Sequence, residues 1–297
     1  MSSKTRRVKR GLRPTPYDPR DFSFAGVFGA ININEVPLTD FMTAPAVEIK
    51  DQGGTDMCTA YALCSVSEDQ EKVPLDPGFT FALIKRKQGT WKTWGGDLRS
   101  GCKVAQDYGF IEVGDNPQDF GNKPRNFIAN WNNWLHLNEL LRIAARHKKQ
   151  SFLKVDGPYD TFDNFRAALW VGKDEGKSIY TGCVWRPGWL AARGGILPDR
   201  ALSGGVGHAF KICGQKIING QPYLVIQNSY GTDVGDHGYF YMNRRVANRE
   251  LTFNGYTFTD LSPEEVQSIL QGKELYVGEK ITIFDRIKRA IKVFLST

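Results

Sequence analysis

The chain has 297 residues, 41% of them apolar and 24% charged, with a net charge of +7. This is ordinary globular composition, long enough for one large domain or two modest lobes, and no apolar run approaches the ~20 residues of a bilayer span. The charge lies at the ends: Lys and Arg exceed Asp and Glu by six over residues 1–20 and by four over 280–297, leaving a slightly acidic body. A basic pI of that origin describes two tails, so no specific nucleic-acid partner is expected.

Residues 1–34 read as a basic, Pro-containing, solvated arm that lacks the apolar run of a secretory signal. Cysteines 58, 64, 102, 183 and 213 show no CxxC spacing, which argues against a zinc or dithiol site and for a cytoplasmic or otherwise reducing compartment. From residue 35 the pattern is helical. A helix is predicted over Met57–Glu71, with Asp56 as its N-cap. Trp94-Gly95-Gly96 follows in a Gly-rich stretch, and Leu137–Lys149 reads as a helix with a basic last turn. Phe162, Phe165 and Leu169 mark another helix, capped by Asp160 or Thr161.

Beyond residue 150 the texture changes to short apolar runs, at 178–185, 208–213, 223–227 and 238–242. Asn219-Gly220 predicts a hairpin between the middle two. Helices first and strands later give an α+β chain in two lobes, 35–150 and 151–255. Residues 256–297 read as a helical extension. Ser262-Pro263-Glu264-Glu265 opens one helix with a capping-box pattern. Ile283, Phe284, Ile287, Ile291 and Phe294 recur at helical spacing in a second, which is expected to dock on the body; the alternatives are weak contact with an anionic membrane or another partner.

Three segments carry chemistry. In Gln52-Gly53-Gly54-Thr55-Asp56-Met57-Cys58, a cysteine in the first turn of a helix sees the positive end of the helix dipole, which favours thiolate. The Gln52 amide and the Cys58 N–H could together serve a developing oxyanion. Gly207-His208-Ala209 sets a histidine at the entry of a strand. Gln227-Asn228-Ser229-Tyr230-Gly231 sets an amide at the end of another. A thiol, a base and an amide that orients the base form a nucleophilic set.

In residue order and spacing these blocks resemble the papain-like cysteine peptidase family over residues 36–245. His208 follows Cys58 by 150 residues and Asn228 follows it by 170. The Gly235–Tyr239 turn also resembles that family's turn into a strand. The resemblance implies a helical left lobe bearing Cys58, a β-barrel-like right lobe bearing His208 and Asn228, and a peptide or protein substrate in the cleft between them. It also implies a Cys58–His208 thiolate–imidazolium pair with Gln52 in the oxyanion hole, and a reaction that needs no metal or organic cofactor. Gly95 and Gly96 look like the family's substrate-binding wall. Leu98, Val206, Gly207 and Ala209 are candidate pocket residues, and Tyr230 stands where a shielding tryptophan is usual. A catalytically silent peptide-binding protein and another thiol acyl-transfer enzyme (amidase, ligase or deubiquitinase-like) are the alternatives.

The departures from the family pattern are specific. Thr55 replaces a disulfide cysteine and Thr59 a tryptophan. The upstream arm is too short for the family's usual inhibitory prodomain, so a zymogen of that kind is not expected. A carboxylate at Asp56 facing the site would oppose the thiolate by roughly 3 kcal/mol at ~5 Å and an effective dielectric near 20. His237 is the rival base, and the other four cysteines read as structural.

Overall fold

The structure, a computed structural model, describes residues 11–89, 93–115 and 137–272. The amphipathic helix expected over 280–297 lies outside these residues. The left lobe is built on helix α2 (Cys58–Glu71), packed by α3 (Pro77–Gln88), α4 (Leu98–Asp107) and α5 (Leu137–Ala144). Every residue of α2 from Cys58 to Asp69 is buried. Its sequence therefore shows little amphipathic periodicity, as expected for a helix covered on all sides. Asp76 caps α3 and Asp97 caps α4, each accepting backbone N–H groups of the first turn.

The right lobe centres on an eight-stranded sheet. Its strands are β1 (Phe22–Ser23), β2 (Phe41–Met42), β3 (Ser151–Lys154), β4 (Ile179–Trp185), β5 (Val206–Ile218), β6 (Gln221–Gln227), β7 (Tyr239–Asn243) and β8 (Tyr256–Thr259). The order is β1-β3-β8-β4-β5-β6-β7, with β2 pairing against β5. The β5–β6 hairpin turns at Asn219 (φ 49°) and Gly220 (φ 72°), the left-handed pair that an Asn-Gly turn supplies. Helices α6 (Thr161–Gly172) and α7 (Arg244–Glu250) cover one face over a core that includes Phe162, Phe165, Trp185, Phe210 and Phe240. Asp160 caps α6, as the sequence predicts.

Two expectations are corrected. The described part of the N-terminal arm, 11–34, is not a free tail: Phe22–Ser23 pairs with β3, and α1 (Phe24–Phe28) buries Phe24 and Val27. The segment from 256 does not open as a helical extension, because Tyr256–Thr259 is a fully buried strand paired with β3; the capping-box helix α8 (Pro263–Leu270) starts after it.

The lobes meet at α2 and β5. Lys211 of β5 donates to Asp69 of α2 at 2.5 Å, with both side chains about 1% exposed. Asp69 also accepts from Ser178 and Thr43, and those two hydroxyls lie 2.6 Å apart. A second buried pair joins Lys50 to Glu68 at 2.8 Å. Charges taken out of water in this way require close partners.

Candidate active site

Cys58 is the first residue of α2, and the cap position, Met57, makes no side-chain cap bond. The N–H groups of Ala60 and Tyr61 donate to Met57 O at 2.9 and 3.1 Å, and those of Cys58 and Thr59 act on the Cys58 sulfur. The loop before it is stitched to the loop after β6. Gln52 N–H donates to Ser229 O at 2.8 Å, Gly231 N–H donates to Lys50 O at 3.0 Å, and Asp51 bridges Tyr230. These bonds set Gln52 beside the Asn228 loop. The Gln52 amide donates to Thr55 O at 2.9 Å, and its Oε1 accepts from Ser229 Oγ at 2.7 Å. The –NH₂ group retains a second N–H.

His208 lies on β5 opposite Cys183 of β4 and is fully buried. Its Nε2 meets Asn228 Oδ1 at 2.9 Å. That oxygen also accepts the Ser229 N–H at 2.7 Å, which fixes the amide's orientation and makes Nε2 the protonated nitrogen. Nδ1 meets the Tyr230 hydroxyl at 3.1 Å, while the Tyr230 ring stacks on the imidazole at 4.6 Å. Trp185 closes the imidazole's surroundings edge-on at 5.4 Å. His237 sits in an exposed turn at φ 51°.

The cleft is occupied by the chain itself. Gly11 N–H and Leu12 N–H both donate to Gly207 O, at 3.1 and 3.0 Å. Gly96 N–H donates to Gly11 O and Arg13 N–H to Gly96 O, each at 2.8 Å, so Leu12 pairs with Gly96 in parallel. A Cβ on Gly11 would lie 2.4 Å from Cys58 Sγ, so the arm runs directly over the sulfur. Leu12 fills a slot made by two glycines. A Cβ on Gly182 would come within 2.4 Å of its Cδ2, and one on Gly207 within 2.2 Å of its carbonyl oxygen.

The electrostatics follow from this closure. Burial pushes the Cys58 thiol up to about 12; the Ala209 backbone N–H pulls it down and the Asp56 carboxylate adds to the rise. Burial draws His208 down to about 4 against the pull of Asn228. The closed state therefore holds a neutral thiol and a neutral imidazole, where the sequence suggested an ion pair.

The structure brings Cys58, Gln52, His208, Asn228, Gly95, Gly96, Gly207 and Tyr230 into one region. Leu98 differs: it is fully buried at the start of α4 in the left-lobe core, an anchor more than a pocket wall. Ala209 joins the same core, with its backbone toward the thiol. Val206 stays half-buried at the start of β5. Asp56 is neither an outward N-cap nor aimed at solvent, because its Oδ2 accepts the Gly95 N–H at 2.6 Å. Lys85 donates to Gly95 O at 2.7 Å, and burial lowers its ammonium to about 8. The Gly95 residue is thus held between an acid and a base. Sequence reasoning missed Lys85, Gly182 and the arm; a glycine inside the strand run 178–185 was the one available signal of close approach. Among the described residues no group of three or more His, Cys, Asp or Glu side chains is placed to hold a metal.

A helix that opens on Cys58, packed on a sheet that carries His208, with Asn228 just beyond the end of β6, defines the class: the chain has the papain fold. Its similarity to solved structures agrees. A cysteine protease from Xylella fastidiosa, xylellain, superposes with a TM-score of 0.65 at 20% identity, covering 86% of this chain and 98% of that one. The digestive procathepsin L 3 of the Tenebrio molitor larval midgut gives 0.58 at 16%, covering 81% and 76%. The ragweed pollen allergen Amb a 11, a cysteine protease in its proform, gives 0.60 at 15%, covering 82% and 72%. The family model of papain family cysteine proteases matches residues 184–256, the segment that carries His208 and Asn228. No curated protein matches the chain in sequence. Fold and matched segment together are consistent with a member of the papain-like peptidase family.

Proposed function

We propose that the chain is a cysteine endopeptidase held latent by its own N-terminal segment. The observation that carries this reading is a peptide already in the cleft. Gly96 offers both its N–H and its C=O to the main chain of residues 11–13, and Gly207 offers its carbonyl, beside the sulfur of Cys58. A cleft that binds backbone next to a thiol, with a histidine oriented by an asparagine, suits peptide-bond cleavage. In the open state His208 Nδ1 takes the Cys58 proton as sulfur bonds to the scissile carbonyl carbon. The Cys58 N–H and the Gln52 amide steady the oxyanion, and the proton passes to the departing amine. Water then hydrolyses the thioester and restores the thiol.

Labelling with a peptide-like thiol electrophile, followed by mapping of the modified residue, tests the assignment. Cys58 should react faster than the other four thiols. Cys58→Ala should abolish peptide hydrolysis in a folded chain. His208→Ala should lose several orders of magnitude, Asn228→Ala less, and His237→Ala little. Equal labelling of all five cysteines, or full activity in Cys58→Ala, rejects the reading. A chain that binds peptides and never turns them over marks the silent-binder alternative.

A further inference from the structure

The imidazole has two nitrogens, and the fold commits both. Nε2–H is spent on Asn228 Oδ1 at 2.9 Å, so only Nδ1 is left to accept a proton. In this tautomer Nδ1 carries a lone pair, and the group facing it at 3.1 Å is the Tyr230 hydroxyl, which therefore donates. Tyr230 is 3% exposed and its ring lies 16° from parallel with the imidazole. Its backbone is pinned by the bridge to Asp51. The Cys58 sulfur meets the Ala209 N–H, and the described hydrogen bonds of the imidazole go to Asn228 and Tyr230.

We propose that the Tyr230 hydroxyl is a resting-state cap on the His208 base: it donates to Nδ1, the nitrogen that must take the Cys58 proton, and gives way when the thiol is activated. Tyr230 is thus a positioning residue that acts through His208. A tryptophan or phenylalanine could shield the Asn228–His208 bond equally well, but neither carries the hydroxyl that faces Nδ1. The cap favours the neutral imidazole, because an Nδ1 that already accepts a hydrogen bond is a weaker base toward the thiol. It deepens the peptidase reading, on which it rests for the roles of Cys58 and His208. The titratable groups around the ring are Cys58, Tyr230 and, across the β4–β5 register, Cys183; the carboxylate of Asp56 acts on the thiol.

The test is alkylation of Cys58 by iodoacetamide in the full-length chain, followed across pH and mapped by peptide mass. The thiolate is the reacting species, and the arm that covers it is present in parent and variants alike, so it is the midpoint of the profile that reads thiol ionisation. Tyr230→Phe should raise the rate at neutral pH about tenfold, the worth of one hydrogen bond, and move the midpoint about one unit lower. Tyr230→Trp, which keeps a stacking ring, should match it. A profile unmoved in both variants overturns the cap, as does slower alkylation, which would make the phenol a proton relay. In the unsubstituted chain, imidazole nitrogen resonances should show His208 protonated at Nε2 with a hydrogen-bonded Nδ1; an Nδ1-protonated ring also overturns it. Peptide hydrolysis is scored separately. Faster alkylation without any peptide turnover keeps the cap and sinks the peptidase reading, while turnover with an unmoved profile does the reverse.

Discussion

Asp56 precedes Cys58 by two residues and does two opposed things. Its carboxylate accepts the Gly95 N–H at 2.6 Å, holding the wall along which the arm runs, and its charge helps keep the thiol protonated. The two effects separate by substitution. An asparagine at 56 can still accept from Gly95 but carries no charge. One upward push on the thiol is then removed, thiolate forms at lower pH, and the alkylation profile of Asp56→Asn should shift downward with KM little changed. Asp56→Ala loses the acceptor as well and should raise KM by about tenfold or more, since a hydrogen bond to a charged group is worth about 1.5–3 kcal/mol. An upward shift in the asparagine variant would refute this account. At this scale the sequence was legible where a residue type has one chemical use. Cys58, His208 and Asn228 could be nominated from sequence because a thiol, a base and an orienting amide call for those side chains, and the fold brings His208 and Asn228 within 2.9 Å. Asp56 was misread and Lys85 missed because their roles depend on what stands opposite them, a Gly95 N–H and a Gly95 carbonyl; Tyr230, read as a shielding ring, does stack on the imidazole.

Among the elements, the arm is the one that covers the thiol. Its hold at Gly11–Arg13 includes four backbone hydrogen bonds, one buried leucine side chain and the Arg13 side chain donating to Thr93 at 3.0 Å, and only glycine fits over the sulfur. A Cβ at position 11 would meet Cys58 Sγ at 2.4 Å and the backbone oxygen of Asp56 at 2.8 Å. The side chain could turn away; the backbone cannot without moving the nucleophile. Gly11→Ala should therefore expel the arm and raise Cys58 labelling by at least tenfold. Truncation before Pro14 should do the same, and a G11A chain that labels no faster than the parent would show that the arm does not gate the thiol. Periodicity revealed α6 and turn chemistry the β5–β6 hairpin, whereas α2, buried on nearly every side, carries little period of its own. The docking of the arm was illegible for a physical reason: over the thiol its bonds are main-chain bonds, which any residue type can make, and the partners of Asp18 and Asp21, both on Arg99, lie far off in sequence. Strands β1 and β2, two residues each, are too short to show a period.

For the whole molecule, what joins the lobes left no mark in the residue pattern. A boundary near 150 follows from composition, yet strands from the first 42 residues enter the right-lobe sheet, and the deepest ionic contact links positions 142 apart. Lys211 stands in the apolar run of β5 and Asp69 near the acidic end of α2; either alone reads as a residue turned to solvent. Together they meet at 2.5 Å under complete burial. Burial pushes the Asp69 carboxyl up, and Lys211 is the chief pull against it. Lys211→Met should therefore leave a buried carboxylate without its cation and cost about 3–5 kcal/mol. Replacing both residues, Lys211→Met with Asp69→Leu, removes the orphan charge. Ser178 and Thr43 keep each other as partners at 2.6 Å, and Thr43 keeps the Cys213 carbonyl at 3.1 Å. The double variant should accordingly recover most of the loss, read as the midpoint of urea unfolding with the slope unchanged. A double variant as unstable as the single one would mean that the seam needs its charges for packing or register. The cost of Lys211→Met could then no longer be ascribed to an unpaired carboxylate.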